Sequence, residues 1–205
     1  MLRIFRKKSL HVVGDSISID YGPFLEHALK PGIRYSRKEG RYKDLDVPEG
    51  ANGGDSSRVL QYLAWLKEKG FRTDWLAMNC GLHDIRQDPV SLKFQVGIGQ
   101  YRENLLEIIR TGARLSGLMV WITTTPVDDE THHKHLKDFV RRNASVAAYN
   151  AVAIDIMAAA GVRTIDLYSF TLSLAGPLYR DHVHFQPEVC RRQGEFVAGE
   201  LNGLP

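Results

Sequence analysis

Short apolar runs alternate along this chain with longer stretches in which apolar residues recur every three or four positions. Leu10-His11-Val12-Val13 reads as a short strand ended by Gly14. Ile17 to Leu29 follows as a helix, with Phe24, Leu25, Ala28 and Leu29 on one face. Ile33 to Ser36 predicts a second, weaker strand, and residues 37 to 55 form a long loop rich in glycine and charge. Long loops inside compact domains usually serve function or motion. Ser56 to Lys69 is amphipathic, with Val59, Leu60, Leu63 and Leu66 on one side and Gly70 as its stop. Trp75 to Asn79 predicts a buried strand running into Cys80-Gly81. Tyr101 to Leu115 is a helix, Leu118 to Ile122 a strand, and Val140 to Ala160 a long alanine-rich helix closed by Gly161. Val162 to Leu167 is a further strand, and Pro187 to Leu201 a final helix with proline in its first turn.

Strands alternating with helices imply crossover connections and a parallel sheet covered on both faces. The expectation is one domain with a core of about residues 9–201. Its fold would be a flavodoxin-like three-layer α/β/α sandwich of about five parallel strands. Ligands bind such sheets outside the carboxyl ends of the strands. That rule singles out the residues from Gly14, from Asn79 and from Thr123 onward.

The chain has 205 residues, which suits a single domain. Its formal net charge of +3 is too small to point to nucleic acid or a membrane surface. Arg3 and Arg6-Lys7-Lys8 read as a solvated leader before the first strand. Charges interrupt residues 1 to 9, which denies them a signal peptide's apolar region. No segment offers the roughly 20 apolar residues of a membrane helix, so the expected location is cytoplasmic. Cys80 and Cys190 lack paired metal or redox spacing, and Cys80 reads as a small core residue. His132-His133 with His135 does not match the histidine spacing of zinc hydrolases and reads as a polar loop. Neither a metal nor an organic cofactor is expected.

Gly14-Asp15-Ser16 follows the first strand directly and opens the first helix. That context suits a nucleophile elbow, in which glycine allows the tight turn and serine projects beside a helix amino terminus. It equally suits an ordinary loop with Asp15 or Ser16 as helix cap. Asp181 and His184 lie three apart just before the last helix. A serine nucleophile needs a base, and the base needs an acidic partner that fixes its tautomer. Taken alone, Asp181-His182-Val183-His184 reads as a surface turn.

Four blocks together are more specific: Val13-Gly14-Asp15-Ser16-Ile17, Gly54-Asp55-Ser56-Ser57, Gly81-Leu82-His83-Asp84 and Asp181-His182-Val183-His184. In kind and order they resemble the SGNH/GDSL hydrolases, over about Leu10 to Leu201. The resemblance implies an ester hydrolase working through an acyl-serine. Ser16 would be its nucleophile, His184 its base and Asp181 the residue orienting that base. The backbone N–H groups of Ser16 and Gly54 would form the oxyanion hole. The family's third block usually carries asparagine as a further donor where this chain has His83. A neutral histidine keeps one N–H for that task. Asn79 is an alternative polar group at the same strand end, and Asp15 and Asp84 are candidate supports. Asp84 is read as a loop anchor or a solvated carboxylate. His182, Tyr179 and Arg180 flank the base. The implied substrates are water and a small-molecule or carbohydrate ester. Transfer of the acyl group to another acceptor, or a decayed glycan-binding site, are the alternatives.

Overall fold

The computed structural model describes residues 7–41, 47, 49–131 and 138–205. Five strands form one parallel sheet: β1 (Lys8–Val13), β2 (Ile33–Arg37), β3 (Thr73–Met78), β4 (Ser116–Ile122) and β5 (Arg163–Ile165). Their order across the sheet is β2-β1-β3-β4-β5. The helices are α1 (Ser16–Ala28), α2 (Ser56–Glu68), α3 (Ile98–Leu115), α4 (Asn143–Ala159), α5 (Leu167–Leu172) and α6 (Pro187–Asn202). α1 packs on α6, while α2, α3 and α4 pack in sequence, which gives the three-layer α/β/α arrangement expected from the alternating pattern.

Burial follows that layering. The last four residues of β1, β3 and β4 are buried on both faces, because helices cover the sheet above and below. β2, at the edge, alternates half-buried with exposed residues, which is why its apolar signal is weak. Among the described residues no helix is long and apolar enough to cross a membrane.

Two elements differ from the sequence reading. The helix expected from Val140 begins at Asn143. Val140 instead exchanges two 2.8 Å backbone hydrogen bonds with Gln87, so residues 140 to 142 leave the helix and form a wall beside the sheet's carboxyl edge. The strand expected to end at Leu167 ends at Ile165. Asp166 then accepts the Ser169 N–H at 3.0 Å and caps the short helix α5, which contains Leu167. Asp166 is a stronger helix start than a strand residue, and the apolar run alone concealed it.

The sheet order reverses between β1 and β3. The loops leaving these two strands diverge there and leave a crevice at their carboxyl ends.

Candidate active site

Ser16 stands where β1 turns into α1. Asp15 caps the helix by accepting the Ile17 N–H at 3.0 Å, and burial pushes its carboxyl pKa up against that hydrogen bond. Ser16 is thus held at the first helical position, with its hydroxyl at the rim of the crevice. The turn is packed to contact. Gly53 donates its N–H to Gly14 O at 2.8 Å, and a Cβ on Gly53 would lie 3.1 Å from that oxygen. Glycine at 53 lets the second loop lie directly on the elbow.

His184 comes from the far end of the chain. Residues 178 to 186 fold back on themselves: Arg180 N–H donates to His184 O and Gln186 N–H to Leu178 O, at 2.9 and 2.8 Å. Along this segment Val183 and Phe185 are buried in the core. The two-residue period turns His182 and His184 to the other side. His184 Nε2 meets Ser16 Oγ at 2.9 Å, and Nδ1 meets Asp181 Oδ2 at 2.8 Å. The other Asp181 oxygen accepts the N–H groups of Val183 and His184 at 2.9 and 2.8 Å. Partial burial would raise the Asp181 pKa, but these hydrogen bonds outweigh it and hold the carboxyl below its usual range. A carboxylate at Oδ2 must receive the Nδ1 proton. Nε2 is therefore bare and accepts the Ser16 hydroxyl proton. The structure thus joins Ser16, His184 and Asp181 in one hydrogen-bonded chain. His182 lies outside it, with Nδ1 at 3.8 Å from Asp181. Arg180 binds Asp20 at 2.9 Å.

The second and third loops meet through Asn52, a residue the sequence reading passed over. Asn52 is fully buried, and its Oδ1 accepts the Gly54 N–H at 2.7 Å. Gly54 sits in the left-handed region at φ 71°, and its N–H, which the resemblance assigned to the oxyanion hole, is taken up by Asn52 in this structure. Because Oδ1 faces Gly54, the Asn52 Nδ2 faces His83 Nε2, at 3.4 Å. Burial, with smaller contributions from Arg141, Arg86 and Arg58, holds the His83 pKa well below its usual value. His83 is neutral, Nε2 is its acceptor nitrogen, and its one N–H is on Nδ1. Lys38 secures the loop by donating Nζ hydrogens to the Gly50 and Asn52 carbonyls.

Asp84 anchors the third loop. It accepts the Ser56 N–H at 3.0 Å and the Ser56 hydroxyl at 2.5 Å, tying the loop to the start of α2. Burial raises its pKa to about 7 against these bonds. Asn79 donates to Ile122 O at 2.9 Å and Thr124 Oγ1 at 3.3 Å. Its amide hydrogens join β3 to the loop after β4 and are not directed at Ser16. Gly81, at φ 145°, leaves room for the Thr124 hydroxyl, which a Cβ at this position would strike.

Among the described residues no three His, Cys, Asp or Glu side chains gather as a metal site. His132, His133 and His135 lie outside the described residues.

Sequence comparison finds no match to a protein-family model and none to a curated protein. Structural comparison places the fold firmly. A lipolytic protein of the G-D-S-L family from Veillonella parvula superposes with TM-score 0.69 at 11% identity, over 96% of this chain and 99% of its own. A lipase/acylhydrolase from Enterococcus faecalis gives 0.69 at 18% identity, over 96% of each chain. A carbohydrate acetylesterase from Sinorhizobium meliloti gives 0.65 at 13% identity, over 95% of this chain and 98% of its own. The chain has the fold of the SGNH/GDSL hydrolases.

Proposed function

We propose that the protein is a serine-dependent carboxylic ester hydrolase that removes a small acyl group from a polar alcohol or carbohydrate. The observation that carries this reading is the Ser16–His184–Asp181 hydrogen-bonded chain at the carboxyl edge of the sheet. In the first half-reaction Ser16 Oγ attacks the acyl carbonyl while its proton passes to His184 Nε2. Collapse of the tetrahedral intermediate breaks the ester C–O bond, and His184 returns the proton to the departing alcohol. Water then attacks the acyl-serine with the same proton relay and frees the acid. Asp181 holds the tautomer and balances the imidazolium in both halves.

The oxyanion needs preorganised donors. Ser16 N–H belongs to the first turn of α1, where backbone donors lack intrahelical partners. His83 Nδ1–H supplies the second. An asparagine side-chain nitrogen occupies the same δ position as this ring nitrogen, so histidine preserves the family's donor. Gly54 and Asn52 act one step back, by fixing the ring through Nε2. The cleft volume of about 170 Å³ beside Ser16 suits a small acyl group. The carbohydrate acetylesterase among the structural neighbours supports a sugar as the alcohol.

Labelling tests the reading. A fluorophosphonate should modify Ser16, identified by peptide mass mapping, and acetylated sugars should protect it. Labelling elsewhere, with Ser16 intact, would remove the nucleophile from the proposal. The donor role has its own expected result. His83→Ala should lower kcat and kcat/KM together by about 10²–10³. His83→Asn should stay within about tenfold of wild type, since it keeps a δ-nitrogen donor. Equal rates in all three proteins, with lower thermal stability in the variants, would make His83 a structural residue.

A further inference from the structure

Ser16 opens α1, and Asp20 lies one helical turn further along the same face. The Asp20 side chain is mostly buried, and its Oδ2 accepts a hydrogen from Arg180 Nη2 at 2.9 Å. Arg180 belongs to the turn that carries Asp181 and His184. Its backbone N–H donates to His184 O at 2.9 Å. Its Nε lies 4.0 Å from Asp181 Oδ2, the oxygen that meets His184 Nδ1. Besides the Ser16–His184 contact itself, the Arg180–Asp20 pair therefore joins the nucleophile's helix to the base's turn, across 160 residues of sequence.

Burying a carboxylate costs desolvation, which raises the Asp20 pKa; Arg180 is the largest influence opposing it, followed by His184. The stability returned is small, because the Arg180 side chain is 40% exposed and water screens the pair. Its value for geometry is larger. A serine and its base must keep hydrogen-bond reach, and a misplacement of about 1 Å can cost on the order of a hundredfold in rate. Asp181 orients the His184 ring within its own turn, and burial of Val183 and Phe185 seats that turn on the core. Neither contact ties the turn to α1; the Arg180–Asp20 pair does.

We infer that the Asp20–Arg180 ion pair is a positioning device for the base: it holds the turn that carries His184 against the helix that carries Ser16. The inference rests on the hydrolase reading, and its test reads the Ser16–His184 pair directly. Asp20→Asn, Arg180→Gln and the double variant would be compared with wild type. The measurements are the rate of fluorophosphonate labelling at Ser16 and its pH profile, kcat and KM on an acetyl ester, and thermal unfolding.

Each single variant should label and turn over about ten- to a hundredfold more slowly, with KM within about threefold of wild type. The double variant should lose no more than the worse single, because the pair acts as a unit. The pH profiles should move in opposite directions. The titratable and charged groups facing His184 are Asp181, His182 and Arg180 on its own turn, Asp15 and Asp20 from α1, and His83, Arg86 and Arg141 across the cleft. Arg180→Gln leaves the Asp20 charge beside His184 without its partner, favours the imidazolium and raises the pH at which labelling sets in. Asp20→Asn leaves the Arg180 charge instead and lowers that pH. Should Asp20→Asn fail to fold, Arg180→Gln, at an exposed position, carries the comparison alone. Losses that track only the unfolded fraction, a double-variant loss equal to the product of the two singles, or unmoved pH profiles would overturn the inference. Wild-type protein that fails to label at Ser16 ends the hydrolase reading and this inference with it. Wild-type labelling that every variant retains at full rate ends the inference alone.

Discussion

Ser16→Ala is expected to lower kcat by on the order of 10⁴–10⁶ on any ester the protein cleaves, with little change in stability. The size of the loss follows from the position of Oγ. It is the atom that would form the covalent bond, and it is the hydroxyl that His184 Nε2 meets, at 2.9 Å. The small structural effect follows from what the hydroxyl contributes to folding. It makes one hydrogen bond, to the His184 ring at the rim of a cleft, worth about 1 kcal/mol net. For a chain of this length that corresponds to a melting shift of roughly 2–4 °C. Asp15 caps α1 through its own carboxylate and is untouched by the change. Steady-state kinetics on p-nitrophenyl acetate and acetylated sugars, beside thermal unfolding, would check both halves. Wild-type turnover in a folded Ser16→Ala protein would end the serine mechanism. A residual rate of about 10³-fold over water would instead reflect the oxyanion donors and binding alone.

The sheet was legible because its central strands are buried on both faces and so read as unbroken apolar runs, as in Val12-Val13 and Trp75 to Met78. Of the three positions marked by the strand-end rule, those from Gly14 and Asn79 lead to Ser16 and Leu82 at the cleft, while Thr123 and Thr125 lie beside Asp15 and Asn79 instead. The second loop was less legible. Asn52 carries the contact between Gly54 and His83, yet nothing in its local sequence separates it from any polar loop residue. Its importance comes from a pairing 31 residues away in sequence, which no local pattern encodes. Arg141 was hidden differently. The apolar period of the alanine-rich helix runs back through Val140, and Arg141 and Arg142 were absorbed into it. One physical signal did exist. Two adjacent arginines in the first turn of a helix would face the positive end of its dipole, which argues for a start beyond them. The structure begins that helix at Asn143, and Arg141 turns to the cleft instead.

Asp181→Asn is expected to lower kcat by about 10⁴ while leaving the loop folded. The asparagine keeps an oxygen for the Val183 and His184 N–H groups, the two bonds that shape this turn. At the position of Oδ2, however, it presents an N–H₂ donor to His184 Nδ1. Two donors cannot share that contact, so the ring proton moves to Nε2 and confronts the Ser16 hydroxyl. The base is then present but in the tautomer that cannot accept. Asp181→Ala separates this effect from simple loss of the loop. It removes the acceptor for both backbone N–H groups and should also lower stability, by about 1–3 kcal/mol if they are left without partners. The two variants would therefore share a severe loss of kcat and differ in unfolding. Fluorophosphonate labelling of Ser16 should slow in parallel with ester hydrolysis, because both demand removal of the same hydroxyl proton. If Asp181→Asn hydrolyses esters within about tenfold of wild type, with the chemical step still limiting, the carboxylate does not set the tautomer and the 2.8 Å contact to His184 is structural.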